Sequence, residues 1–143
     1  MKRLLFVLIG VILSGSALFA QDKKALPVCL GPATYGNNAR FMASQRYVPE
    51  RSGYLLDVHA VICNMTTKPK KVKVTVTLKD AKGKVVNSRK ESVSVAAGSG
   101  YQYTTFLPVA KPNLWDGVGE PYLYKVSVAA GKDYSETDFY FKK

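Results

Sequence analysis

The segment from Val72 to Leu78 constrains the fold most strongly, because its side chains alternate strictly between apolar and polar. Val72, Val74, Val76 and Leu78 alternate with lysine and threonine residues. A repeat of two residues places one set of side chains on each side of a β-strand, and β-branched residues suit its pleated surface. The segment is therefore predicted to be a strand with one face in a core and the other face in water.

Further segments show the same alternation, at residues 54–62, 101–106 and 122–128. Turn-forming residues separate them, and in the turn at residues 80–83 Gly83 can adopt the positive φ that a tight hairpin needs. Residues 87–92 are all polar, so this stretch is predicted to be an edge strand, or one that bulges and changes sheets. Such regularly spaced strands, without a helical pattern, predict an all-β protein, an antiparallel immunoglobulin-like β-sandwich of six or seven strands.

The first twenty residues have the pattern of a secretory signal peptide. Lys2 and Arg3 are basic, residues 4–13 form an apolar run broken only by Gly10, and small residues lead to Ala20. The alternative is a transmembrane anchor, which needs roughly 20 apolar residues and is not favoured by so short a run. We expect cleavage after Ala20, export to the periplasm or the exterior of the cell, and a mature chain without a transmembrane segment.

The expected mature chain, residues 21–143, is long enough for one domain. Residues 21–50 contain scattered proline and glycine, and are predicted to be an irregular segment with a possible edge strand at residues 41–48. Residues 51–143 carry the regular alternation. They are therefore predicted to form the immunoglobulin-like domain.

Basic residues dominate the chain, which has a formal net charge of +11. Many lysines lie within residues 68–90, and Lys71 and Lys73 fall on the polar face of the alternating strand. Such a patch can hold nucleic acid or an acidic polysaccharide. Export argues against nucleic acid, so Lys71 and Lys73 are candidate contacts to a glycan or to an envelope protein. The alternative is a solvated face whose lysines prevent edge-to-edge pairing of sheets.

The chain has two cysteines, Cys29 and Cys63. An oxidising compartment would allow them to form a disulfide, which would tie the N-terminal segment to the strand that contains Cys63. Two free thiols are the alternative, because the sequence does not reveal whether the geometry fits a bridge.

The residue patterns do not indicate a catalytic site or a cofactor. His59 is the single histidine, and no serine lies in a Gly-x-Ser-x-Gly elbow, so a Ser-His-Asp triad has no support. His59 and Cys63 are four residues apart, but a zinc site usually has further ligands at close spacing. Asp116 and Glu120 could bind calcium, although they are more typical of solvated loop carboxylates. We therefore predict no metal and no cofactor, and we do not expect an enzyme.

Trp115 and Tyr124 have distinct expected roles. Trp115 lies in a predicted loop at residues 109–121, where it could contact a glycan or close one end of the sandwich. Tyr124 lies near the start of a predicted strand. This is the position of the tyrosine corner of immunoglobulin-like sandwiches, in which the hydroxyl bonds to the backbone of the preceding corner.

Residues 111–124, which read KPNLWDGVGEPYLY, are distinctive. They resemble the Pro-x-Leu-Trp…Pro-Tyr-Leu-Tyr signature of the immunoglobulin-like middle domain of glycoside hydrolase family 2, which includes β-galactosidases, β-glucuronidases and β-mannosidases. The resemblance extends over residues 41–143. Residues 56–64 resemble the family's first strand and residues 74–86 its hairpin. Residues 138–142 resemble its closing strand, with Tyr140 where glycine is usual.

The family resemblance implies a role without catalysis. In family 2 the catalytic glutamates belong to a barrel that follows the middle domain, and no residue of this chain matches them. The resemblance therefore implies an exported, non-catalytic module that binds carbohydrate or acts as an accessory scaffold. The alternatives are a truncated or split part of a family 2 hydrolase, and a protein-binding or adhesion domain of the fibronectin kind.

Overall fold

The structure, a computed structural model, describes residues 26–31, 39–51 and 53–143. The predicted signal peptide lies outside the described residues. The described part contains one 3-10 helix at Pro49–Arg51 and ten strands: β1 (Val28–Leu30), β2 (Met42–Val48), β3 (Gly53–Asn64), β4 (Lys70–Lys79), β5 (Val85–Val95), β6 (Ser99–Val109), β7 (Leu114–Trp115), β8 (Tyr124–Ala130), β9 (Asp133–Phe139) and β10 (Phe141–Lys142).

Two antiparallel sheets form a sandwich. In the first sheet β3 is central, with β6 along one side, while β1 and β2 share the other side. The second sheet has the order β5-β4-β8-β9. The short strands β7 and β10 form a separate parallel pair. The predicted all-β sandwich of immunoglobulin type is therefore confirmed.

The core lies where the alternating pattern places it. The apolar set of β4 is almost completely buried, as are alternate residues of β3 and β8. Residues of these sets include Val74, Val76, Leu56, Ile62 and Val128. The apolar residues that recur at every second position thus form the inner faces of the two sheets, from which water is excluded.

Seven strands are seven residues or longer, which agrees with the expected six or seven. The short strands β1 and β7 were not predicted, because two or three residues are too few to show an alternation, whereas β10 lies within the closing strand that the resemblance implies at residues 138–142. Both β1 and β2 precede residue 51, yet they belong to the same sheet as β3. β2 lies within residues 41–48, where a possible edge strand was expected, and together with β1 it connects the N-terminal segment to the sandwich.

The polar strand β5 is an edge strand of the second sheet. A bulge against Leu78 and Lys79 leaves Val86 outside the pairing register, and β5 remains in its sheet throughout. Its Asn87 side chain reaches across to β6, where Nδ2 donates to the Pro108 carbonyl at 2.8 Å. Polar side chains that point inward from an edge strand discourage pairing with another sheet. This position explains why the middle of β5 lacks an apolar alternation.

Asn64 is a fully buried polar residue at the end of β3. Its Nδ2 donates to the carbonyls of Lys68, Val95 and Ala96 at 2.9–3.3 Å, and its Oδ1 accepts from the Thr66 backbone at 3.0 Å. The side chain therefore joins the β3–β4 connection to the end of β5. Asn64 also begins an Asn-x-Thr glycosylation motif, but a buried amide with these bonds is not accessible to a glycan in the folded protein.

Asp133 fastens the N-terminal segment to the second sheet. Its carboxylate forms a bidentate pair with Arg40 at 2.7 and 2.8 Å and accepts from the Leu30 backbone N–H at 2.9 Å. Burial would raise the pKa of Asp133, but the bonds from Arg40, Leu30 and the Tyr134 backbone outweigh it and lower that pKa below its ordinary value. The carboxylate is therefore ionised, and the link is intact, at neutral pH.

Candidate functional site

A groove runs along the outer face of the first sheet and continues onto the edge of β5. It encloses about 530 Å³, a volume in the range of small-ligand sites. Side chains of β2, β3, β5 and β6 line it, among them Ser44, Arg46, His59, Arg89, Thr104 and Phe106. The floor of the groove is formed by β2, β3 and β6 of the first sheet, and one wall is formed by β5 of the second sheet.

Strand register explains why these side chains share a face. His59 of β3 lies opposite Thr104 of β6, and two residues along the sheet Asp57 lies opposite both Ser44 and Phe106. Side chains two residues apart on a strand point to the same side. The residues between them point into the core instead. The groove is therefore lined by the outward-facing residues of the same alternation that forms the core.

The Phe106 ring lies beside two guanidinium groups. The guanidinium carbon of Arg89 is 5.1 Å from the ring centroid, and that of Arg46 is 6.0 Å from it. Both distances are within the range of cation–π attraction, in which a positive charge meets the negative face of an aromatic ring. The ring is 38% exposed, so it supports both cations at the groove surface.

The groove's charged groups differ in how far they are already bonded. Arg46 forms a bidentate pair with Asp57, with both N···O distances at 2.8 Å. The Glu91 carboxylate accepts a hydrogen bond from the Tyr103 hydroxyl. Among the described residues, no carboxylate lies within salt-bridge distance of Arg89. Arg89 is therefore the cation that the groove can offer to a ligand.

This arrangement is suited to binding rather than to proton transfer. Asp57 and Glu91, the two carboxylates of the groove, are both held by hydrogen bonds to neighbouring side chains. Arg89 has donors for an anion, and the hydroxyls of Ser44 and Thr104 can donate or accept. The groove can therefore recognise a ligand that carries both negative charge and hydroxyl groups.

Tyr103 behind the groove makes stability sensitive to alkaline pH. Burial first, and then the hydrogen bond to Glu91, raise its pKa from 10.0 to about 12. Since the folded-state pKa is the higher one, this contribution to stability is complete below pH 10 and is lost as the pH rises to about 12. We expect the stability advantage of the wild type over Tyr103→Phe to fall by about 2 kcal/mol across this interval.

Denaturant unfolding at several pH values between 9 and about 12 measures this difference. Tyr101→Phe is the control, because Tyr101 lies on the same strand and is exposed. The lysines titrate in all three proteins and cancel in the comparison. If the free energies of unfolding of wild type and Tyr103→Phe changed in parallel with pH, the raised pKa of Tyr103 would be contradicted.

Trp115 lies outside the groove and is partly buried. Its Nε1 donates to the carbonyls of Val118 and Gly119 at 3.2 and 3.0 Å, and its ring meets the Tyr140 ring edge-on at 5.2 Å. The indole N–H is therefore used within its own loop. A glycan contact by Trp115 stays a prediction, and these bonds favour the alternative of a closing side chain.

Lys71 and Lys73 lie on the outer face of the second sheet, opposite Ser94 and Ser92 of β5. Both are exposed. Lys73 is next to the β8–β9 turn, where its carbonyl accepts from the Gly131 N–H, whereas Trp115 belongs to the strand pair near the start of β8. The three predicted glycan contacts are therefore not brought together, and a role for these lysines stays a prediction.

Cys29 and Cys63 lie directly opposite each other on β1 and β3. Both are thiols in the structure and both are partly buried. Burial first, followed by the neighbouring Cys63 and Asp133, raises the pKa of the Cys29 thiol. The disulfide stays a prediction, but the strand register places its two partners side by side.

Tyr124 is buried at the start of β8. Its hydroxyl accepts a hydrogen bond from the Asn113 backbone N–H at 2.8 Å. This bond spans eleven residues and fixes the connection from β6 to β8 against the sandwich. It is the type of contact on which the tyrosine-corner hypothesis rests.

Within the described parts of the chain, no group of three or more histidine, cysteine, aspartate or glutamate side chains could hold a metal ion. Asp116 instead accepts from the Val118 backbone N–H within its own loop, at 3.0 Å. None of the described helical segments is long and apolar enough to cross a membrane.

Arg46, Arg89 and Phe106 were not predicted as site residues. They lie on three different strands, and only the register and the approach of β5 to β6 bring them together. The one available signal was the polar stretch at residues 87–92. It indicated an edge strand, but an arginine in such a stretch does not reveal which ring it will meet.

The sequence profile of the family described as Glycosyl hydrolases family 2 matches residues 43–143. No curated protein matches the chain significantly. Solved structures with a similar fold include parts of much larger enzymes. A family 2 β-glucuronidase has 22% identity and a TM-score of 0.69, with 80% of this chain and 13% of that chain covered.

Two further structures agree with this result. The β-glucuronidase of Bacteroides uniformis has 21% identity and a TM-score of 0.68, with 80% of this chain and 14% of that chain covered. A putative β-galactosidase of Bacteroides fragilis has 19% identity and a TM-score of 0.68, with 79% and 17% covered. At such identities the likeness concerns the fold, and the chain spans less than a fifth of each enzyme.

Proposed function

Because the chain belongs to family 2 of the glycosyl hydrolases, we propose that it works as a non-catalytic accessory domain that binds carbohydrate. The observation that carries the proposal is the groove on the first sheet, where the Arg89 guanidinium, which has no carboxylate partner among the described residues, lies among hydroxyl groups. Hydroxyl and guanidinium groups provide the hydrogen bonds that sugar hydroxyls require. The groove's open shape also suits an extended saccharide chain.

The non-catalytic part of the proposal rests on the groove's carboxylates. Hydrolysis of a glycosidic bond ordinarily uses two carboxyl groups that flank the bond, with one able to give a proton. Asp57 is held by Arg46 and Glu91 by Tyr103, so neither is free for that role. The chain spans 13–17% of the enzymes compared above, and their activities are not carried over to it.

The cellular site of action is also proposed. The basic start, the apolar run and the small residues before Gln21 support export, and hence a glycan of the periplasm or the exterior as the partner. N-terminal sequencing of the exported protein tests this point. A mature protein that begins at Gln21 is the expected result, and an uncleaved cytoplasmic chain would contradict it.

Equilibrium binding of the purified protein to a panel of neutral and acidic oligosaccharides, at two salt concentrations, tests the function. We expect measurable binding to at least one sugar at millimolar concentration and no turnover of aryl glycosides. Absence of binding throughout the panel would refute the carbohydrate-binding role. Turnover that disappears when Asp57 or Glu91 is replaced would refute the non-catalytic role.

A second candidate is a scaffold for another polypeptide, such as a separately encoded family 2 barrel. Exposed apolar side chains at one end of the sandwich favour it: Val118 is 77% exposed and Leu123 is 43% exposed. Stable complex formation that Val118→Asp abolishes, in a protein that binds no sugar, would support this candidate over the first.

A further inference from the structure

We propose that the groove binds acidic saccharides, and that Arg89 is the residue that recognises their carboxylate groups. The inference rests on the proposed carbohydrate-binding function and specifies its ligand class and its site. The site lies on the outer face of the first sheet, away from Lys71 and Lys73 of β4 and from Trp115.

Arg89 is both held and available. Its guanidinium lies over Phe106 at 5.1 Å, yet it donates no hydrogen bond to any described residue. A cation–π contact restricts the position of a guanidinium without using its N–H donors. A guanidinium presents its donors as a fork that matches a carboxylate bidentately. Arg89 can therefore take a carboxylate with little further loss of side-chain freedom.

Arg46 has a different role in the same groove. Its Nε and Nη2 are both bonded to Asp57 at 2.8 Å, so the pair is neutral overall. Because Arg46 also approaches the Phe106 ring, it helps to position the ring that supports Arg89. Of the two arginines, only Arg89 lacks an anionic partner among the described residues, and a ligand's carboxylate would supply it.

The neighbouring groups indicate a saccharide rather than a simple anion. Ser44, His59 and Thr104 line the same groove, and each offers a group that can take part in a hydrogen bond with a sugar hydroxyl. The volume of about 530 Å³ also exceeds what a small anion needs. The chain's formal charge of +11, which becomes +9 for residues 21–143 once Lys2 and Arg3 are removed, favours the approach of an anionic polymer.

Isothermal titration of the full chain with two matched ligands tests the ligand class. The ligands are an oligogalacturonate and its methyl ester, which has the same sugar skeleton without the negative charge. We expect the acid form to bind roughly tenfold or more tightly than the ester, because charge-assisted hydrogen bonds are the stronger ones. Affinity for the acid form should fall as salt is raised.

Variants of the protein test the assigned residue. Arg89→Leu should lose roughly tenfold or more of the affinity for the acid form and remove the preference over the ester. Arg89→Lys keeps the charge without the fork, and should recover part of the loss. Lys90→Gln is the matched control, because Lys90 is the next residue on β5, is exposed and removes the same charge. Its affinity should stay within about twofold of the wild type.

The acid–ester comparison and the Arg89 variants can refute this inference separately from the proposed function. Equal binding of acid and ester, or an Arg89→Leu variant with wild-type affinity, overturns the assignment while carbohydrate binding stands. Competition by acetate as effective as that by the oligosaccharide overturns the saccharide specificity. If no sugar binds, the inference and the proposed function both fail. Should Arg89→Leu not fold, Arg89→Lys and the two-ligand comparison on the wild type still decide.

Discussion

Replacing Asn64 with aspartate is expected to lower the free energy of unfolding at pH 7 by about 3 kcal/mol or more. The Asn64 amide nitrogen donates to three backbone carbonyls, in a position that is 0% exposed. An ionised aspartate would direct a negative oxygen at those carbonyls and leave them without a donor. The side chain is nearly the same size, so the loss would come from charge and hydrogen bonding and not from a cavity.

The pH dependence of this loss provides a second test. Burial and the facing carbonyls would raise the folded-state pKa of the introduced aspartate above its unfolded value of about 3.9. Because the folded-state pKa would be the higher one, the loss in the free energy of unfolding grows as the pH rises above the unfolded pKa. The loss shrinks as the pH falls towards that pKa. Unfolding of wild type and Asn64→Asp in denaturant at pH 7 and at pH 4 should therefore show a smaller difference at pH 4.

Asn113→Asp is the matched control for the asparagine change, because Asn113 is exposed and its side chain donates to none of the described residues. It should change the free energy of unfolding by at most about 0.5 kcal/mol. An Asn64→Asp variant as stable as Asn113→Asp at pH 7 would contradict the role assigned to the buried amide.

The sequence predicted the sandwich because burial on one face of a strand leaves a period of two in the residue order. Val74 and Val76 illustrate this, since each is fully buried between two outward-facing side chains. The role of Asn64 was not predictable by the same logic. Its partners Val95 and Ala96 lie about thirty residues later, and only the folded chain brings their carbonyls to the end of β3.

The groove could not be predicted because it depends on the distance between two sheets. Polarity identified Lys71 and Lys73 as outward-facing, which the structure shows, but outward-facing side chains on a flat sheet do not enclose a ligand. Phe106 is an aromatic residue in the same alternation set as Gln102 and Thr104, and it points outward opposite Asp57. It is sheltered because the edge strand β5 lies beside β6 and carries Arg89 towards it, a long-range arrangement that no local pattern records.

Oxidation of Cys29 and Cys63 to a disulfide is expected to raise the free energy of unfolding by about 3 to 4 kcal/mol in the chain-entropy estimate. Their Cα atoms are directly paired in the register, and the ladder bonds Gly31 N–H to Val61 O and Met65 N–H to Pro27 O hold the strands on both sides at 2.8 and 2.7 Å. A hydrogen-bonded antiparallel pair has a Cα separation of about 5.5 Å, which lies within the range that disulfides span.

The raised pKa of Cys29 determines how the bridge must be formed in an experiment. A higher thiol pKa means less thiolate at neutral pH, so exchange with glutathione disulfide should be faster at pH 8.5 than at pH 7. In that exchange the protein loses two thiol hydrogens and two electrons to glutathione disulfide, which leaves as two glutathione thiols. Mass measurement without reductant and counting of free thiols then establish the yield of bridged protein.

Unfolding of the bridged and reduced forms, with Cys63→Ser as control, separates the bridge from other effects of oxidation. The control cannot form the intramolecular bridge, so oxidation should not stabilise it, whereas the wild type should differ between its two forms. The main reason to expect a large difference is the brevity of β1, whose three residues form few ladder bonds to β3 and would separate from it early in unfolding. A bridge at its middle residue keeps the segment attached and restricts the unfolded chain between residues 29 and 63. Bridged and reduced proteins of equal stability, or a protein that forms no bridge under oxidant, would show that the paired cysteines serve only as packing residues.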